Sequence, residues 1–293
     1  MRPPRKGPPP VARAFRPAVP GGSTVYVVHP GALSVEVYEG LAGALPDGTG
    51  LTVLDLGAVP EYAEAALTGG RAATTVEDLA ALLLAALERS RQENGAATDG
   101  SWTLAGWSFG GVLALAATRL MPAERRPGRL VVLDSIAPVE EYKQPDDALR
   151  PELLLSWFAM YLGAKRGRPV PLDLDRLAGC GTDDGLTAVL DAATASGALL
   201  PDTPLPGLRK LYDTYVDGLL RNNRLTAPHH PGTAPLPVTL VQPERSLVPA
   251  DPTLGWRPLA PHGLTAHRCP GDHYTMLTRA DSLGVIAPLL RAS

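Results

Sequence analysis

Five residues, Gly106-Trp107-Ser108-Phe109-Gly110, constrain this chain more than any other stretch. They read Gly-x-Ser-x-Gly and lie between two segments of different character. Ser101-Trp102-Thr103-Leu104-Ala105 before them carries aromatic and β-branched residues, the composition of a short buried strand. Gly111-Val112-Leu113-Ala114-Leu115-Ala116-Ala117 after them is Ala/Leu-rich and helix-forming. A serine on a sharp strand-to-helix turn needs neighbours with little or no side chain, because the backbone is strained and packs closely on what surrounds it. Such a turn aims the hydroxyl at the mouth of a sheet, and the helix N-terminus beneath it favours developing negative charge. Ser108 is therefore the candidate nucleophile.

The pattern around it is that of a parallel sheet. Val25-Tyr26-Val27-Val28 reads as a strand stopped by Pro30 and Gly31. Apolar spacing predicts a helix from Ser34 to Leu45, then a strand at Leu51–Leu56. Thr75 and Asp78 form a capping box that opens a helix running to about Arg91. After the elbow helix, Arg129–Leu133 is another short strand, ending at Asp134-Ser135. Alternating strand and helix gives a mostly parallel sheet with helices on both faces, and ligands in such sheets bind beyond the carboxyl ends of the strands. Residues 1–22, rich in Pro, Arg and Gly, read as a flexible tail, and 23–135 as the first part of the core. From 136 to 232 helices follow without convincing strands, at Pro151–Gly163, Gly185–Ala195 and Leu205–Asn222. That stretch is an inserted helical lid. Leu236–Val241 and Thr265–Cys269 restore the strand pattern, so 233–293 completes the core, with a closing helix around Asp281–Leu290.

A serine hydroxyl needs a base within hydrogen-bond reach, and the base needs a carboxylate to fix its tautomer. His273, on the loop Pro270-Gly271-Asp272-His273-Tyr274 after the last strand, has the best context of the six histidines. His29 ends a strand and reads as a structural hydrogen-bonding residue; His229, His230, His262 and His267 read as surface or structural. Asp272 reads as a turn residue. Spacing leaves the acid open between Asp134, after the strand that follows the nucleophile, and Glu244 or Asp251, after the later strand. Backbone N–H groups of Ala32, in the Gly-containing loop after the first strand, and of Phe109 are the expected oxyanion donors.

Composition closes off other classes. The 293 residues carry a net charge of −3, too small to argue for nucleic acid or an anionic membrane surface. The longest apolar run, near Leu79–Leu87, is too short to span a bilayer, and no apolar stretch of signal-peptide length follows the basic start. Two cysteines in no C-x-x-C pair suggest no disulfide framework, so a soluble cytoplasmic protein is expected.

Taken together, His29-Pro30-Gly31, the Gly106-Trp107-Ser108-Phe109-Gly110-Gly111 elbow, Leu133-Asp134-Ser135, Trp157-Phe158-Ala159 and Pro270-Gly271-Asp272-His273-Tyr274-Thr275 resemble a type I thioesterase, the α/β-hydrolase domain that releases chains from nonribosomal peptide and polyketide assembly lines. The resemblance covers about Val25 to Leu290, and the Trp-Ser-Phe-Gly-Gly form is more like the peptide-synthetase members. It implies Asp134 as the triad acid and a helical lid over an acyl channel. It also implies an acyl or peptidyl thioester substrate, delivered on the phosphopantetheine arm of a carrier protein, with no cofactor or metal of the enzyme's own. Release would proceed through an acyl-O-Ser intermediate, by hydrolysis or macrocyclisation. Trp157, Phe158, Tyr161 and Leu211 are the expected channel-lining residues. The chain departs from the family in its His-Pro-Gly-Ala-Leu loop, where a second Gly is usual, and in its long lid. Rival readings are an editing thioesterase, a general esterase or lipase, and a non-catalytic binding protein on a hydrolase scaffold.

Overall fold

The structure, a computed structural model, describes residues 10–19, 21–67, 74–93, 102–172, 177–248 and 250–291. Seven strands, β1 (Ala12–Arg16), β2 (Thr24–His29), β3 (Gly50–Asp55), β4 (Trp102–Trp107), β5 (Leu130–Leu133), β6 (Val238–Arg245) and β7 (Leu264–Asp272), form one sheet in the order β1-β3-β2-β4-β5-β6-β7. All neighbours are parallel except β1 and β3.

Alternation along each strand sorts its side chains onto two cores. Val25, Val27, Val53, Ala105 and Val131 face one, closed by α1 (Glu39–Ala44) and α8 (Ala280–Leu289). Tyr26, Val28, Leu54, Leu104 and Val132 face the other, closed by α3 (Val76–Glu93) and α4 (Phe109–Leu120). Strands buried on both faces read as continuous apolar runs, which is why β2 and β5 stand out in the sequence. The start of α3 is held by the capping box: Asp78 N–H donates to Thr75 Oγ1 at 3.1 Å and Thr75 N–H to Asp78 Oδ2 at 3.2 Å. A short helix α2 (Pro60–Leu67) follows β3, and the helix expected at 34–45 is a 3₁₀ turn at Val35–Tyr38 running into α1.

The reading of 1–22 as a flexible tail fails over 12–16. That segment is β1, an edge strand antiparallel to β3, with Ala12 opposite Leu54 and Ala14 opposite Thr52. Its side chains explain both the strand and its resemblance to a linker. Arg16 donates to the Leu45 carbonyl (2.8 Å), Arg13 pairs with Glu36 (2.7 Å), and Phe15 packs on Tyr38. Arginines suit a solvated sheet edge, and in sequence they resemble a linker. Residues 1–9 and 20 lie outside the described residues.

Between β5 and β6 the described residues contain three long helices, α5 (Pro151–Arg166), α6 (Thr182–Ala195) and α7 (Leu205–Thr226), and no strand. No described helix is long and apolar enough to cross a membrane.

Candidate active site

The elbow is built from glycines that cannot be anything else. A Cβ on Gly106 would lie 2.2 Å from the Gly110 carbonyl oxygen, one on Gly110 2.2 Å from that of Val28, and one on Gly111 2.3 Å from Ser135 Oγ. That absence of side chains lets α4 sit directly against β2 and β5. Ser108, at φ 55° and ψ −130°, occupies a backbone region that costs a non-glycine residue roughly 1–3 kcal/mol. Its N–H is held by the Leu133 carbonyl (2.9 Å) and its carbonyl by Gly111 N–H (3.0 Å). Ser108 lines a cleft of about 170 Å³ together with Phe109, Asp134, Trp157, Leu219 and Leu247.

Asp134 follows β5 directly. Its N–H still donates to Val241 of β6 (2.8 Å), and its positive φ of 42° then turns it out of the ladder. Both carboxylate oxygens are engaged. Oδ2 accepts from His273 Nδ1–H at 2.7 Å, and Oδ1 accepts from the Ser246 hydroxyl at 2.6 Å. Asp134 and His273 are 1% and 2% exposed, and a buried carboxylate is tolerable only with partners such as these. His273 is fixed through its backbone too: its N–H donates to the Arg245 carbonyl (3.2 Å), and its carbonyl accepts from the indole N–H of Trp107 (3.1 Å), the residue before the serine. With Nδ1–H committed to the carboxylate, Nε2 carries the lone pair, the tautomer a general base needs.

The other acids are occupied elsewhere. Asp272 caps its own loop, accepting from Tyr274 and Thr275 N–H and from Arg245. Asp251 accepts from Tyr142 Oη–H, Thr253 and Gly255, and Glu244 is exposed at the end of β6. His273 meets Asp134 and none of these.

His29 is fully buried, and its Nε2–H donates to the Leu33 carbonyl (2.8 Å), closing the loop that carries Ala32. Burial holds its pKa below the usual imidazole value, despite the opposing carbonyl bond and the charges of Asp55 and Glu36. Ala32 is exposed in that loop and Phe109 is the first residue of α4. His229 is buried, donating to Glu77 (2.7 Å); His230 and His262 are exposed and His267 half-buried on β7.

Of the four expected channel residues only Trp157 lines the cleft, anchored by its indole N–H on the Leu247 carbonyl (3.2 Å). Phe158, Tyr161 and Leu211 do not line this cleft; they pack in a cluster of lid residues that also takes in Tyr274, beside His273. Phe158 has no exposed surface and meets Tyr212 edge-on at 5.2 Å, Tyr161 stacks on Tyr215 at 4.8 Å, and Leu211 packs against the same cluster. A 3.6-residue apolar repeat marks the face a helix buries, and in a three-helix lid that face meets the other helices first. Leu219 of α7 is the cleft residue the repeat failed to single out.

Two contributors had no signal of their own. Ser246 lies in the loop after β6, and nothing in its sequence setting marks a serine there as a partner of Asp134. Tyr274 bonds Tyr215 hydroxyl to hydroxyl at 2.7 Å, fastening α7 to the residue beside His273. Burial pushes both phenols well above their usual range, so the pair stays neutral. No group of three metal-ligating side chains occurs among the described residues.

A family model described as thioesterase domain matches residues 23–288. No curated protein matches the chain. Among solved structures, the chain is similar to holo-AB3403, a four-domain nonribosomal peptide synthetase bound to AMP and glycine, at 25% identity and TM-score 0.63. The match covers 96% of this chain and 20% of that one, so the chain spans about a fifth of the synthetase. It is also similar to the NocB thioesterase domain from the nocardicin cluster (24% identity, TM-score 0.52, 95% of this chain and 97% of that). A third is the RedJ thioesterase from the prodiginine biosynthetic pathway in Streptomyces coelicolor (18%, TM-score 0.55, 99% and 95%). The fold expectation, an α/β-hydrolase with a mostly parallel sheet, agrees with these neighbours.

Proposed function

The chain belongs to the thioesterase domain family, and from that premise we propose that it releases an acyl or peptidyl chain from the phosphopantetheine thioester of a carrier protein, using Ser108, His273 and Asp134. The observation that carries the reading is the 2.7 Å bond from buried His273 to buried Asp134, behind a serine held on a strained elbow. His273 Nε2 takes the Ser108 proton as Oγ attacks the thioester carbonyl. The N–H groups of Ala32 and Phe109 receive the oxyanion, and the latter opens α4, whose dipole favours that charge. Collapse returns the proton to the departing pantetheine sulfur and leaves an acyl-O-Ser ester. A second nucleophile, either water or a hydroxyl or amine of the acyl chain itself, then gives up its proton to His273 and attacks, yielding an acid or a ring. Asp134 stabilises the imidazolium formed in each half.

Beyond Ser108 and Asp134, the cleft lining is apolar apart from Tyr142 and, on α7, Asn222, Asn223 and Thr226, which suits an uncharged acyl segment. Intact-protein mass spectrometry after brief exposure to a peptidyl pantetheine thioester tests the reading. An acyl adduct is expected on the wild type and not on Ser108→Ala. No adduct and no thiol release, with simple esters turned over readily, would indicate a general esterase; silence on every ester would indicate a binding protein.

A further inference from the structure

A second cleft, of about 270 Å³, borders the loop that carries His273. Three arginines from separate parts of the chain line it: Arg168 after α5, Arg245 at the end of β6 and Arg279 just before α8. The hydroxyl residues Thr275 and Thr278 line it with them. Its one lining carboxylate, Asp272, is 3% exposed and already saturated by two backbone N–H groups and one Arg245 N–H. Arg279 spends two donors on Asp281, outside the cleft lining, and Arg168 has no carboxylate partner among the described residues. Arg245 is paired with Asp272 and Arg279 with Asp281, so of the three cations Arg168 alone is left without a carboxylate among the described residues; each guanidinium has five N–H donors, and most of them are unused. That surplus of donors is the complement of a multivalent oxygen anion.

Its position says which anion. Trp157 of α5 lines the Ser108 cleft, while Met160, Gly163 and Ala164, further along the same helix, line the arginine cleft. At 1.5 Å per residue the two openings lie roughly 9 Å apart along α5. Arg245 also joins them directly, since its carbonyl holds the His273 N–H. A phosphopantetheine arm carries its reacting sulfur at one end and a phosphate at the other. We propose that the arginine cleft binds the phosphate of that arm while the thioester lies at Ser108; this rests on the carrier-thioester reading above. Arg168 and Arg279 supply attraction and Arg245 supplies registration, because the strand end that bonds the phosphate also bonds the His273 backbone.

Two thioesters bearing the same acyl group test this, one on pantetheine and one on 4′-phosphopantetheine. For the wild type the KM of the phosphorylated substrate is expected to be about tenfold lower, with kcat unchanged. That advantage should shrink at high salt, because the guanidinium groups are solvent-exposed. In Arg168→Gln, and more fully in Arg168→Gln/Arg279→Gln, the two KM values should converge while the kinetics on the unphosphorylated thioester stay as in the wild type. Inorganic phosphate should compete with the phosphorylated substrate in the wild type and lose that effect in the double variant. Equal KM values in the wild type, or an advantage that survives the double substitution, would overturn the proposal. Failure of the wild type to release thiol from either compound would instead overturn the thioesterase reading, and the phosphate site with it.

Discussion

Two buried histidines pack on one tryptophan, and they differ in what each ring nitrogen touches. His29 ends β2 and His273 follows β7; their rings lie 5.7 and 5.4 Å from the Trp107 ring, and both are at most 2% exposed. His29 donates through Nε2 to the Leu33 carbonyl, and its Nδ1 has no partner. His273 donates through Nδ1 to the Asp134 carboxylate. Burial favours the neutral ring of His29 and holds its pKa low, against the Leu33 carbonyl bond, which favours the charged form. A buried carboxylate stabilises the imidazolium that forms during a proton transfer. Burial and aromatic packing are therefore common to both histidines, and the partner separates the one proposed to act as base from the other.

The largest effects should fall on the His273 side. Ser108→Ala or His273→Ala should lower kcat for thiol release on the order of 10⁶-fold. Asp134→Asn should lower it roughly 10⁴-fold, by leaving the ring in the wrong tautomer. Comparable losses in Glu244→Gln or Asp251→Asn would break the assignment of the acid. His29→Ala should cost less, up to about 10²-fold, because it frees the loop that presents Ala32, the proposed second oxyanion donor. The loss should appear in kcat with KM little changed, and His29→Gln, which can still donate to Leu33, should restore most of it. Ser246→Ala removes the second bond to Asp134 and should cost about tenfold.

Much of this contrast was legible in the sequence. The elbow announces itself because steric necessity puts glycine at three positions around Ser108, and β2, β4 and β5 are apolar runs because both their faces are covered. That His273 meets Asp134 was legible only through the motif resemblance: spacing could not choose among three carboxylates, since the pairing depends on where β6 and its loop sit beside β5. β1 was hidden because an edge strand five residues long needs only one apolar neighbour and carries arginines. Helical periodicity reports burial without saying what does the burying: Trp157 lines the Ser108 cleft, whereas Phe158 and Tyr161 pack among the aromatic residues of the lid and Tyr274.

Smaller effects sharpen the comparison from the stability side. His29 has a folded pKa below that of a free imidazole, so the unfolded chain binds more protons than the native one as the pH falls below about 6.5. Stability should be full above that value and decline on acidification, by at most about 1.4 kcal/mol per pH unit for this one group, until the folded pKa is passed. Urea melts between pH 7 and 5 should show a shallower decline for His29→Gln. Some decline should remain, because burial lowers the His229 pKa in the same direction. A wild-type stability that rises on acidification over this range would contradict the assignment of His29 as the neutral histidine. Tyr215→Phe, which removes the hydroxyl pair with Tyr274, should cost about 1 kcal/mol in the same melts and loosen the lid's hold on the His273 loop.

The account turns on His273, and not His29, activating Ser108. The most direct measurement is the rate of phosphonylation of Ser108 by a fluorophosphonate, followed by intact mass in the wild type, His29→Gln and His273→Gln. Labelling close to the wild-type rate in His29→Gln and near-complete loss in His273→Gln is the predicted result. Fast labelling in His273→Gln, or loss in His29→Gln with the fold intact, would contradict it.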